Sequence, residues 1–135
     1  MKLQPECIRD VLLFVENAEN YTSTDDEIEA EPVWFADICA GLPQYKAEEL
    51  YYTLTILEEA GFLHVGEYWE QGAMDLCCVS RLTYEGHEFL ETIRPQSVWT
   101  KTVAVLKGVG SFGLEIMKDV AHDIVLAAAT ATLSR

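Results

Sequence analysis

Ile8, Val11, Leu12 and Val15 recur every three to four positions after Pro5, a spacing that predicts an amphipathic helix opening at Pro5 and closing near Asn17 to Asn20. Residues 19–31 follow with Asp25, Asp26, Glu27, Glu29 and Glu31 and no basic side chain, which predicts a mobile polar surface loop. From Pro32 to Ala40, Val33, Trp34, Ile38 and Cys39 suit the buried side of a short helix that Gly41-Leu42-Pro43 would stop. A longer helix restarts by about Lys46. At about 100° per residue, Leu54 and Leu57 fall within about 40° of Leu50, with Ala47 close by, so these form a buried stripe. The opposite face carries Glu48, Tyr52, Thr55, Ile56 and Glu59.

Gly61 caps that helix, and the pattern then changes period. Phe62 to Val65 and Leu76 to Val79 are two short strand candidates, joined by a polar hairpin holding Glu67, Tyr68, Trp69 and Glu70. Thr83 suits the N-cap of a further helix whose Phe89, Leu90 and Ile93 return to the core, with Gly86 where another element can approach closely. Arg94-Pro95-Gln96-Ser97 ends it and marks a module boundary. Beyond it, Trp99, Val103 and Leu106 line one helix, and Met117, Val120, Ile124 and Ala128 line another after a glycine-containing break.

The helix from Lys46 to Gly61, the hairpin, and Leu82-Thr83-Tyr84-Glu85-Gly86-His87-Glu88-Phe89-Leu90 in this order resemble the recognition helix, wing and closing helix of a winged helix-turn-helix domain. The fold class expected is α+β: a winged helix-turn-helix core of three helices and a β-hairpin wing over residues 1–97, then a C-terminal helical extension over 98–135. The opening Met1-Lys2-Leu3-Gln4-Pro5-Glu6-Cys7-Ile8-Arg9-Asp10-Val11-Leu12, the Leu82 to Leu90 stretch, and Val98-Trp99-Thr100-Lys101-Thr102 with Val109-Gly110-Ser111-Phe112 add a second resemblance. They are similar to a family of small uncharacterised proteins of bacterial genomes, prophages and phages, catalogued as a domain of unknown function. That resemblance implies a mobile-element setting and a winged-helix-like core, and carries no catalytic residues with it.

Charge turns this picture away from the commonest use of such a fold. The whole chain has a formal net charge of -14. Residues 1–97 hold twenty acidic side chains against Lys2, Arg9, Lys46, Arg81 and Arg94, a net of -15, whereas residues 98–135 come to +1. Such a field repels phosphate backbones and anionic lipid, and favours basic partners or plain solubility. A DNA reader presents Arg, Lys, Asn or Gln on its recognition helix and basic residues on its wing, and this chain presents carboxylates around a tyrosine.

Candidate chemistry is sparse. Gly108-Val109-Gly110-Ser111-Phe112-Gly113 matches a dinucleotide-binding pattern literally, but no second parallel strand or crossover helix can follow it, so it is expected to be a break between helices. Cys77 and Cys78 are adjacent on a strand and point to opposite faces, and Cys7, Cys39, His64, His87 and His122 lack chelating spacing; no metal, no cofactor and no catalytic residue is assigned. The amino terminus lacks a signal-like apolar core, so a cytoplasmic protein with free thiols is expected. Charges at Glu115, Lys118, Asp119 and Asp123 interrupt the last helix, which speaks against a membrane span.

The function expected is a non-catalytic protein-interaction module of phage or prophage type. Its partner-binding face would comprise Glu48, Tyr52, Thr55, Glu59, Glu67, Trp69 and Glu70, meeting a protein with a basic surface, and one form would be an inhibitor of a host nucleic-acid-binding system. Homo-oligomerisation is expected through Trp99, Val103, Leu106, Met117, Val120, Ile124 and Ala128. The alternative is a DNA-binding winged-helix transcriptional regulator whose few basic residues are gathered by dimerisation.

Overall fold

A computed structural model describes residues 1–110 and 112–134; Ser111, in the glycine-containing break, and Arg135 lie outside the described residues. The chain is mixed α+β, with six α-helices and two small antiparallel sheets among the described residues. It divides into two compact units, Met1–His87 and residues 88 onward.

In the first unit, helix α1 (Pro5–Ala18) begins at Pro5, whose missing N–H costs nothing in a first turn, and buries Cys7, Ile8, Val11, Leu12 and Val15. Helices α2 (Phe35–Gly41) and α3 (Ala47–Glu59) pack with it around Ile38, Leu50, Leu54 and Leu57, all fully buried. Each such side chain contributes about 1.5–3 kcal/mol by leaving water. The end of α3 follows the expected glycine stop: Gly61 has φ +84°, its N–H donates to Glu58 O at 3.0 Å, and the Phe62 N–H donates to Leu57 O at 2.9 Å.

Strands β1 (Tyr21–Ser23), β2 (Ile28–Ala30), β3 (Val33–Trp34), β4 (Leu63–Val65) and β5 (Cys78–Leu82) form two sheets. β1 pairs with β2 alone; the three-stranded sheet runs β3-β5-β4, antiparallel throughout, with Val33 opposite Val79 and Leu63 opposite Leu82. An irregularity between His64 and Val65 shifts the register of β4.

Two expectations change here. Within residues 19–31, where a loop was expected, residues 20–31 form a β-hairpin: Tyr21 pairs with Ala30 and Thr22 with Glu29, Thr24 N–H donates to Glu27 O at 2.8 Å, and Glu31 N–H donates to Asn20 O at 2.8 Å. The side chains of both strands are exposed, Tyr21 and Ile28 among them, and a polar stretch leaves the backbone free to pair with itself. The helix expected from Pro32 starts only at Phe35, because Val33 and Trp34 pair with β5, and Trp34 stays 42% exposed instead of entering the core.

Helix α4 (Tyr84–Ile93) crosses the boundary between the units. Thr83 caps it as expected, its hydroxyl accepting the Gly86 N–H at 3.0 Å and donating to Gly61 O at 2.6 Å. Gly86 also behaves as expected: a Cβ there would lie 1.9 Å from the Phe62 carbonyl oxygen.

In the second unit, α5 (Gln96–Val109) and α6 (Leu114–Leu133) pack on one another as a helical hairpin. Thr102, Leu106, Met117 and Ala121 are 0–1% exposed, and Gly110 ends α5 at φ +88°. Gly110 is thus a helix terminator, and the strand-like Val103 to Leu106 lies within α5. Among the described residues no helix is long and apolar enough to cross a membrane.

Candidate functional site

The outer face of α3 is set by its helical phase. With Leu50, Leu54 and Leu57 buried, Glu48 and Glu59 are exposed, while Tyr52 and Thr55 are half-buried. The Glu49 carboxylate accepts the Lys46 N–H at 3.2 Å and so satisfies one free donor at the start of the helix. The helix carries Glu48, Glu49, Glu58 and Glu59 and no Lys or Arg.

The connection from β4 to β5 does not extend away as a hairpin tip. A 3-10 turn at Trp69–Gln71 folds it back on α3, and Trp69 is only 3% exposed. Trp69 was expected on the partner-binding surface; instead it holds the loop down, since a large apolar ring gains more by burial than a polar loop loses by ordering. Its ring stacks on Tyr51 at 4.8 Å with 15° between planes, and Phe35 meets both edge-on at 5.8 and 5.7 Å. The Trp69 indole N–H donates to the Thr55 hydroxyl at 3.0 Å, and the Tyr51 hydroxyl donates to the Trp69 carbonyl oxygen. Cys77 lies under the same turn, its thiol 3.6 and 3.7 Å from the Tyr68 and Trp69 carbonyl oxygens.

A groove of about 450 Å³ remains beside this loop and α3, lined by Met1, Phe35, Ala47, Tyr51, Tyr52, Thr55 and Met74, with Glu48 also on its wall. Three residues of the expected face, Glu48, Tyr52 and Thr55, come together there. Glu59 lies farther along α3, and Glu67 and Glu70 are exposed on the loop. Phe35, Tyr51 and Met74 were missed. Tyr51 sits between the core stripe and the outer face, a phase that periodicity assigns to neither, and nothing local marks Phe35 or Met74.

Electrostatics reinforce the neutral state of the aromatic floor. Burial, and then the nearby Cys77 and Glu70, raise the Tyr51 pKa, so its hydroxyl remains a donor. Burial likewise raises Cys7, Cys39, Cys77 and Cys78, which leaves these free cysteines as thiols rather than nucleophilic thiolates. Among the described residues no three His, Cys, Asp or Glu side chains assemble into a group able to hold a metal ion. Residues 1–87 as a whole carry eighteen acidic side chains against four basic ones.

The expected oligomerisation stripe is divided by the fold. Trp99, Leu106 and Met117 are buried within the single chain, where α5 and α6 pack on one another. Val103, Val120 and Ile124 are half-buried, and Ala128 is exposed, with Leu126 and Leu133 on the far half of α6.

No solved structure matches this chain. An uncharacterized protein of Haemophilus influenzae (strain ATCC 51907 / DSM 11121 / KW20 / Rd) is 30% identical over 87 residues, covering 63% of this chain and 72% of the relative. A family model described as hypothetical protein (DUF2513) matches residues 2–112, and the chain belongs to that family.

Proposed function

We propose that the first unit is a winged helix-turn-helix scaffold used as a non-catalytic protein-interaction module, with the acidic α3 face engaging a protein of basic surface. The scaffold reading is supported by the order α1, β3, α2, α3, β4, β5 and by the strand order β3-β5-β4, the order expected of such a domain. The observation that carries the protein-binding reading is the fastening of Trp69 across α3. Thr55, on the face that would meet base edges, and Tyr51 beside it are engaged by the folded-back loop, and the charged groups left outside are carboxylates. In a phage or prophage setting, one form of such a module is an inhibitor that presents a DNA-like charge surface to a host nucleic-acid-binding protein.

A gel-shift series at low salt with duplex DNA, beside capture of host proteins on immobilised chain, tests the reading. No retardation at micromolar protein is expected, with capture of basic proteins that Glu59→Lys abolishes. Strong retardation that falls steeply as salt rises would establish the DNA-binding regulator instead. Self-association, in the same proposal, uses the exposed far half of α6.

A further inference from the structure

Resting on the protein-interaction reading, we propose that the groove between α3 and the Trp69 loop is the docking site for one kind of partner segment: an amphipathic helix bearing a large apolar anchor flanked by Lys or Arg. Three observations select that occupant. The lining is apolar and aromatic, through Phe35, Ala47, Tyr51, Tyr52 and Met74, and Met74 is 47% exposed. From Ala47 to Thr55 the wall runs about 12 Å along α3, about two helical turns, which matches anchors spaced one turn apart on a docked helix. The charged side chain on the wall is a carboxylate, Glu48, and a second carboxylate, Glu70, is near enough to raise Tyr51.

Charge complementarity decides between classes of occupant. An acidic or phosphorylated segment would meet these carboxylates and be repelled, and a neutral apolar segment would leave Glu48 without a counter-charge as it loses water. A second copy of the chain would bring a first unit of the same negative sign. A segment with Lys or Arg one turn from a Leu, Met or aromatic anchor satisfies the floor and the wall together. The floor is preorganised, because Tyr51 and Trp69 are already stacked and hydrogen-bonded, so docking need not order them.

The test is titration of the isotopically labelled full chain with three synthetic helical peptides: one of Leu and Lys, one with the same Lys residues but Ser for Leu, and one with Gln for Lys. The Leu/Lys peptide is expected to bind at micromolar concentration and to shift amide signals of residues 47–55 and 72–74. Tyr52→Ala should weaken it about tenfold or more and Glu48→Gln severalfold, whereas Glu29→Gln, which does not line the groove, should leave it unchanged. Equal binding of the Ser/Lys peptide overturns the groove as the site but leaves an acidic protein-binding surface standing. Equal binding of the Leu/Gln peptide overturns the requirement for a basic partner. No binding of the Leu/Lys peptide overturns this inference, and if duplex DNA binds in its place the protein-interaction reading falls with it.

Discussion

The Trp69 indole N–H donates to the Thr55 hydroxyl at 3.0 Å, joining the loop after β4 to the outer face of α3. One bond thereby spends a polar group on the helix and removes an aromatic ring from the surface. Thr55→Val should leave the buried indole N–H without a partner and cost about 1–3 kcal/mol. Trp69→Ala should cost about 3–5 kcal/mol, since it also empties the space between Tyr51 and Phe35. Urea midpoints measure both; a Trp69→Ala chain as stable as the parent would show that the loop is not held by this ring.

Thr83 and Gly86 lock the start of α4 to the end of α3. Thr83→Ala loses both the cap to Gly86 and the bond to Gly61 O, for about 1–2 kcal/mol, while Thr83→Ser should retain most of that stability. Gly86→Ala drives a methyl into the Phe62 carbonyl and should cost about 1–3 kcal/mol or more. Thermal melting of the three variants should rank Thr83→Ser above both others, and any other order would contradict the geometry.

Tyr45 donates to the Asp10 carboxylate at 2.7 Å, and burial together with that bond and charge raises its pKa well above the ordinary value of 10. The folded state therefore holds the phenolic proton after the unfolded state has released it. This contribution to stability is complete below pH 10 and is lost as pH rises from there towards the folded-state value. Tyr45→Phe should be less stable by about 1 kcal/mol at neutral pH and should show a shallower alkaline decline. An equally steep decline in Tyr45→Phe would assign the loss to other groups.

On the far half of α6, Leu126 and Ala128 are exposed and the neighbouring side chains carry no charge. If this surface joins copies of the chain, Leu126→Glu with Ala128→Glu should lower the mass read by light scattering after size exclusion, with helicity unchanged. The same mass as the parent would reject self-association through this segment.

Much of the architecture was legible because it depends on local spacing. Pro5 with its apolar repeat, the Leu50, Leu54 and Leu57 stripe, the Gly61 stop and the Thr83 cap all appear where periodicity and capping chemistry put them. What periodicity misjudged were segments whose backbone partners lie elsewhere. Val33 and Trp34 became a strand because β5 offered them an edge, and residues 21–23 and 28–30 paired with one another while their side chains stayed exposed.

The candidate site divides along the same line. Sequence alone determined that α3 would show carboxylates and no basic residue outward, because helical phase and side-chain identity are both written locally. Only the tertiary structure decided that Trp69 would turn inward, stack on Tyr51 and leave a groove beside Met74. The reason is that burial is a property of the assembled surface: the same indole is exposed or covered according to whether another element supplies a ring and a hydroxyl within reach, and no residue near it in the chain records that.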